Sequence, residues 1–85
     1  MEKDEARLSL KSLIEEEMPD IADVDFDKDI IQEYGINSVS IIKIIVAAER
    51  KFGIVFTDYE LSLDEYGTFG DLAAVIKEKV DNKED

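Results

Sequence analysis

Apolar residues recur at intervals of three and four positions in three stretches of this 85-residue chain. That spacing brings side chains onto one face of a helix, so the pattern predicts amphipathic helices over residues 3–18, 38–52 and 69–80. Pro19 follows the first stretch and Gly53 the second, and both residue types commonly end helices. The apolar positions of the two outer helices are Ala6, Leu10, Leu13, Ile14 and Met18 in the first, and Leu72, Ala73 or Val75, Ile76 and Val80 in the last.

Capping-type residues indicate where helices begin. Asn37 and Ser38 stand at the start of the second apolar run, and both are preferred helix caps. Residues 57–60 (TDYE) have the spacing of a capping box, which predicts a short helix over residues 58–63. Residues 68–71 (TFGD) repeat this spacing with Asp in place of Glu, at the start of the last helix.

The remaining segments are predicted to be irregular. Residues 19–37 form a long acidic connection, which we expect to be a loop, and residues 81–85 a frayed tail. Residues 54–56 (IVF) are too short a run to predict a strand. The expected fold is an all-α four-helix bundle with three longer helices, one short helix and a long first loop, in a single domain over residues 1–85.

The amino-acid composition excludes several kinds of chemistry and of binding partner. The chain has no cysteine and no histidine, which removes disulfides, thiolate nucleophiles, the usual zinc ligands and the commonest general base. Its formal charge of −12 repels nucleic-acid phosphates and anionic membranes. No leader is evident and no apolar run is long enough to span a bilayer. We therefore expect a cytoplasmic protein that binds no nucleic acid and does not insert into membranes. We also expect a monomer, and not an enzyme, since no pair of nucleophile and base is evident.

The second predicted helix has two apolar sides. At 3.6 residues per turn, the apolar residues on one side of this helix are enough to form its buried face, which we call the core stripe. The core stripe comprises Ile41, Ile44, Ile45, Ala48 and Phe52. Val39, Ile42 and Val46 lie on another side, next to Ser38, where they either pack against a neighbouring element or form an exposed surface for a partner. The second interpretation predicts a partner-binding face comprising Val39, Ile42, Lys43, Val46, Glu49 and Arg50.

Ser38 has two interpretations of its own. A serine before an apolar helical run is most often only a cap. The amides and the positive dipole end of a helix also stabilise a phosphate, so a phosphodiester on Ser38 would be favourably placed. Gly35, three residues earlier, has no side chain that would hinder access to the hydroxyl.

Three segments of the chain resemble the acyl carrier proteins. They are residues 34–45 (YGINSVSIIKII), 49–54 (ERKFGI) and 68–72 (TFGDL), and the likeness extends over essentially the whole chain. The resemblance implies a four-helix bundle whose Ser38 is modified by a phosphopantetheinyl transferase using coenzyme A and magnesium. The 4′-phosphopantetheine arm would supply a thiol that holds acyl groups as thioesters, so that acyl-loading and acyl-processing enzymes can act on them. A carrier of this kind catalyses nothing itself.

Two departures from the family pattern set this chain apart. The usual Asp-Ser-Leu is Asn37-Ser38-Val39, in which Asn still caps the helix but carries no charge. The charge distribution is also uneven, at −8 for residues 1–37, +2 for residues 38–56 and −6 for residues 57–85. Fatty-acid carriers present an acidic helix here, so the pattern predicts a specialised carrier whose partners offer acidic groups.

Other interpretations remain open. The aspartate-rich run over residues 23–29 has Lys28 where a calcium loop requires Gly, and Tyr34 where it requires Glu, so we predict no specific metal site. For a carrier of the kind that the resemblance implies, we expect an acyl or polyketide-type cargo, or alternatively an aminoacyl, peptidyl or D-alanyl one. Outside the carrier class, the net charge also suits an acidic helical protein that binds a basic partner.

Overall fold

Hydrophobic periodicity and capping residues produce four α-helices in the computed structural model, which describes residues 1–21, 23–61 and 66–83, with the backbone alone described at Ser38. The helices are α1 (Lys3–Glu17), α2 (Ile30–Tyr34), α3 (Ser38–Phe52) and α4 (Phe69–Lys83). A 3-10 helix, Tyr59–Leu61, lies between α3 and α4. Among these residues there is no strand, and the prediction of an all-α bundle is confirmed.

Two bounds of the long helices differ from the predicted ones. Helix α1 ends at Glu17 rather than at residue 18, and α4 continues to Lys83 rather than stopping at residue 80. The expectation of a frayed tail from residue 81 is therefore wrong for residues 81–83, while residues 84 and 85 lie outside the described part. The added turn is held by Asp81, which pairs with Lys77 at 2.7 Å, and by Lys83 Nζ, which donates to the Phe52 carbonyl at 3.0 Å.

The first loop contains a helix that the sequence analysis missed. Residues 30–34 were predicted to be irregular, but they form α2, and the short α-helix of the bundle therefore precedes α3. Asp29 caps it, since its Oδ1 accepts a hydrogen bond from Gln32 N at 2.9 Å. Gly35 ends it in the left-handed conformation, with φ of 63°. Burial of Ile30, which is fully enclosed, compensates for the low intrinsic stability of a single helical turn.

The short helix predicted over residues 58–63 is a 3-10 helix in its described part, and residues 62–65 lie outside that part. The predicted capping box is present, because Glu60 N donates to Thr57 Oγ1 at 3.3 Å and Thr57 N donates to Glu60 Oε1 at 2.9 Å. The Thr57 amide, together with Lys79 at 2.9 Å, lowers the pKa of the Glu60 carboxyl below its usual value.

The core lies between α1, α3 and α4. The predicted stripe of α3 is confirmed, because Ile41, Ile44, Ile45 and Ala48 are fully buried and Phe52 is partly buried. The other helices contribute the buried residues Ala6, Leu10, Leu13 and Ile14 from α1 and Phe69, Leu72, Ala73, Ile76 and Val80 from α4. Within the described residues, no helix combines the length and the apolar character needed to cross a membrane.

The first loop is joined to the start of α4 by backbone hydrogen bonds. Gly70 N donates to the Phe26 carbonyl, and Ile30 N donates to the Gly67 carbonyl, both at 3.0 Å. The ring of Tyr34 lies against Phe69, with 5.4 Å between centroids. These contacts fix α2 beside the start of α4, and α2 leads directly into α3. We refer to this contact between residues 26–30 and residues 67–70 as the loop seam.

Gly70 makes the loop seam possible, which yields a stability prediction. A methyl group at Gly70 would lie 2.8 Å from the Phe26 carbonyl oxygen, and both are backbone positions that cannot turn away. Glycine to alanine within a helix ordinarily stabilises by about 1 kcal/mol. Here we expect Gly70→Ala to lower the free energy of unfolding by about 1–3 kcal/mol, measured by urea denaturation.

Gly67→Ala is the matched control for this prediction. A methyl group there would meet the Asp71 carboxylate at 3.5 Å, which is an ordinary van der Waals distance. We expect this variant to be unchanged or slightly more stable, by up to about 1 kcal/mol. Equal losses at the two glycines would contradict the steric explanation.

Candidate functional site

The start of α3 is set by Asn37. Its backbone is extended, with φ of −98° and ψ of 178°, and its side-chain Oδ1 accepts a hydrogen bond from Ser40 N at 2.9 Å. The Asn37 carbonyl accepts the first intrahelical bond, from Ile41 N at 3.0 Å. Ser38 is therefore the first helical residue, at the end where backbone amides and the helix dipole give a positive potential.

The link between α2 and α3 is short and held from one side. Gly35 closes α2, with its N–H donating to the Ile31 carbonyl at 2.8 Å. Ile36 is only 3% exposed and joins the core. On the other side there is space, because no atom outside residues 34–36 lies within 4 Å of the position that a Cβ on Gly35 would take, and Asn37 is exposed. The segment before Ser38 is thus anchored inward and open outward.

Several apolar side chains of α2 and α3 are exposed to solvent. Of the three predicted to form an exposed surface, Val39 is 64% exposed, Ile42 is 40% exposed and Val46 is half-buried. Ile31 of α2, which the sequence analysis did not single out for binding, is 54% exposed. Exposed aliphatic side chains on one face of a helix, as Val39, Ile42 and Val46 are by their spacing, are typical of interaction sites.

The charged residues of this side of α3 divide into two groups. Lys43 and Arg50 are exposed, and neither has an ion-pair partner within the described part of the chain. Glu49 is half-buried, and its Oε2 accepts a hydrogen bond from Phe56 N at 2.9 Å. Its carboxylate therefore holds the segment after α3, a role that the sequence analysis missed. The exposed charge on this face of α3 is positive.

The chain matches a known protein family over most of its length. The family model described as the phosphopantetheine attachment site matches residues 9–76. The chain belongs to this family. The match covers most of α1, all of α2 and α3, and the first half of α4, and it confirms the resemblance to the acyl carrier proteins. Comparison with curated proteins and with solved structures gave no significant match.

The family assigns 4′-phosphopantetheine as the prosthetic group, and the start of α3 fits it. The group is linked through a phosphodiester, which helix N-terminal amides and the helix dipole favour. No acidic residue stands in the first turn of α3, so no carboxylate there opposes the phosphate. The open space at Gly35 and the exposed Asn37 leave room for the arm. Within the described residues, no group of three or more carboxylates is placed to hold a metal.

The cap at Asn37 is testable without the prosthetic group. Asn37→Ala removes the acceptor for Ser40 N, so we expect a loss of about 1 kcal/mol in the free energy of unfolding, measured by urea denaturation of the unmodified protein. Asn37→Asp keeps the acceptor and adds a negative charge at the positive end of the helix, so it should match or exceed the parent. Unchanged stability of Asn37→Ala would show that the cap does not hold α3.

Proposed function

We propose that this protein tethers acyl intermediates as thioesters on a 4′-phosphopantetheine arm attached to Ser38. The observation that carries the proposal is the position of Ser38 as the first helical residue after an exposed cap, inside the matched segment. The other described serines of that segment are less suitable. Ser9 and Ser12 lie within α1, and Ser40 lies within α3, after its first residue.

Attachment of the arm is a substitution at phosphorus. The Ser38 hydroxyl forms a new bond to the phosphorus that bears the pantetheine half of coenzyme A. The phosphoanhydride bond breaks, the nucleotide half leaves with its phosphate, and the serine proton passes to a base of the transferase. The chain has no cysteine, so the terminal thiol of the arm is the only thiol in the modified chain. Carrier domains of this family are generally not catalysts themselves.

Carrier domains interact with phosphopantetheinyl transferases and with acyl-processing enzymes. We propose that these partners contact Val39, Ile42, Lys43, Val46 and Arg50, here called the α3 face. Exposure of its aliphatic residues and the absence of ion pairs at its two cations, within the described residues, support this assignment. Glu49 contributes least, because its carboxylate is bound within the chain.

The charge of the α3 face points to the kind of pathway. A carrier whose docking helix is positive suits enzymes that present acidic groups around an apolar site. We therefore propose a specialised cytoplasmic carrier, acting as a monomer in a dedicated fatty-acid, polyketide or related pathway. High overall acidity favours an acyl cargo over an aminoacyl or peptidyl one.

Attachment at Ser38 is tested by intact-mass analysis. After incubation with coenzyme A, magnesium and a promiscuous phosphopantetheinyl transferase, the parent protein should gain the mass of one arm. Ser38→Ala should gain none, while the matched control Ser40→Ala should gain one arm. Modification of Ser38→Ala would place the arm elsewhere, and no gain by the parent with several transferases would favour an acidic binding protein instead.

The specialised role is tested by charge reversal on the α3 face. The pantetheinylated protein should accept malonyl groups slowly from the malonyltransferase of a housekeeping fatty-acid synthase. Lys43→Glu with Arg50→Glu should raise kcat/KM by roughly tenfold, since each surface charge contributes up to about 1 kcal/mol.

Lys11→Glu with Lys28→Glu is the control for charge reversal. It changes the net charge equally, but on α1 and the first loop. We expect it to leave kcat/KM within about twofold of the parent value, because exposed charges beyond about 8 Å are screened at physiological salt. Efficient transfer to the parent protein, or an equal gain in the control, would refute the proposed role of the α3 face.

A further inference from the structure

Helices α1 and α4 enclose a groove of about 160 Å³ that no α3 residue lines. Four of the residues that line it are small, Ala6 from α1 and Gly70, Ala73 and Ala74 from α4. Lys3 and Arg7 border it on α1, and Lys77 on α4. The spacing of three and four residues places each set on one face of its helix, so the groove runs along the line where the two helices meet.

The volume of the groove limits what it can hold. A protein cavity of about 150 Å³ accommodates benzene, whereas sites for whole small-molecule ligands usually measure about 300–1,000 Å³. A groove of about 160 Å³ therefore fits one phenyl-sized or leucine-sized group. Single anchor side chains of this size, inserted into pockets, supply much of the binding energy of protein–protein contacts.

The cations of the rim indicate the charge of the occupant. The Arg7 guanidinium lies over the Phe26 ring, 5.4 Å from its centroid, and a Cβ on Gly70 would be 3.3 Å from its Nη2 atom. Neither Lys3 nor Arg7 has an ion-pair partner among the described residues, although the chain has 22 acidic residues. Lys77 is already paired with Asp81 at 2.7 Å. Two cations thus remain for carboxylates, which guanidinium groups bind with two parallel hydrogen bonds.

We propose that this groove is a second docking site, which takes one large apolar side chain from an acidic segment of a partner protein. The anchor fills the space over Ala73 and Ala74, and the flanking carboxylates pair with Lys3 and Arg7. The net charge of −12 acts against an acidic segment, but no acidic residue among those described lines the groove, and charges beyond about 8 Å are largely screened at physiological ionic strength. The charges that line the groove are therefore all positive.

The groove and the α3 face are separate surfaces. The residues of α3 that point into the bundle, Ile41, Ile44 and Ala48, are fully buried, so the exposed face of α3 is turned away from α1 and α4. No α3 residue lines the groove, so a side chain bound there does not occupy the start of α3. One molecule can then remain bound to an acidic segment while its arm serves another enzyme.

The probe is the synthetic peptide acetyl-EEFEE-amide, titrated to 5 mM into isotopically labelled Ser38→Ala protein in 0.15 M salt. Using Ser38→Ala keeps the test independent of the proposed attachment. We expect amide chemical shifts to change at Gly70, Ala73 and Ala74 and to stay constant at Val39 and Ile42. The matched peptides acetyl-EEAEE-amide and acetyl-KKFKK-amide should change these shifts at least fivefold less at the same concentration.

Groove variants complete the test. Ala74→Leu, at an exposed helical position, places a side chain in the groove and should abolish the shift changes. Arg7→Gln and, independently, Lys3→Gln should each reduce the shift changes caused by acetyl-EEFEE-amide several-fold. If loss of the contact with Phe26 unfolds the Arg7 variant, Lys3→Gln alone tests the role of the cations. Absence of binding at 5 mM, equal binding of the lysine peptide, or undiminished binding by Ala74→Leu would overturn the proposal.

Discussion

The close approach of the first loop to α4 is the contact on which the arrangement of the functional end depends. The Phe26 carbonyl reaches Gly70 N because residue 70 has no side chain, and Ile30 N bonds Gly67 on the adjoining turn. Helix α2 is a single short helix that would not persist alone. Its position beside Phe69, and through it the direction in which α3 starts, follows from the loop seam rather than from the helix itself.

Local sequence signals predicted the parts of the fold that depend on local physics. The stripe from Ile41 to Ala48 follows from the helical period, and the capping boxes at Thr57 and Thr68 follow from side chains that bond amides three residues away. Helix α2 was missed because one turn is too short to show a period. Its Asp29 cap and Gly35 terminus were present in the sequence, but the burial of Ile30 that stabilises it depends on distant residues.

At the candidate site, too, features set by local sequence could be predicted, and features that depend on distant residues could not. The helix start and its solvent-facing aliphatic residues could be predicted, since both lie within one helix and its preceding cap. The role of Glu49 could not, because it depends on how the chain turns after Gly53 to bring Phe56 N to the carboxylate. The groove between α1 and α4 could not be predicted either, because one of its walls comes from the first helix of the chain and the other from the last.

The buried Ile36, between the left-handed Gly35 and the cap Asn37, has a mechanical consequence. With only three residues between α2 and α3, and one of them locked in the core, the start of α3 is a fixed pivot. A flexible group attached there samples space through its own torsions, within a region set by its length. Short tethers of this kind give effective concentrations in the millimolar range, so in the proposed carrier role a docked enzyme would meet its substrate by local search rather than by diffusion from solution.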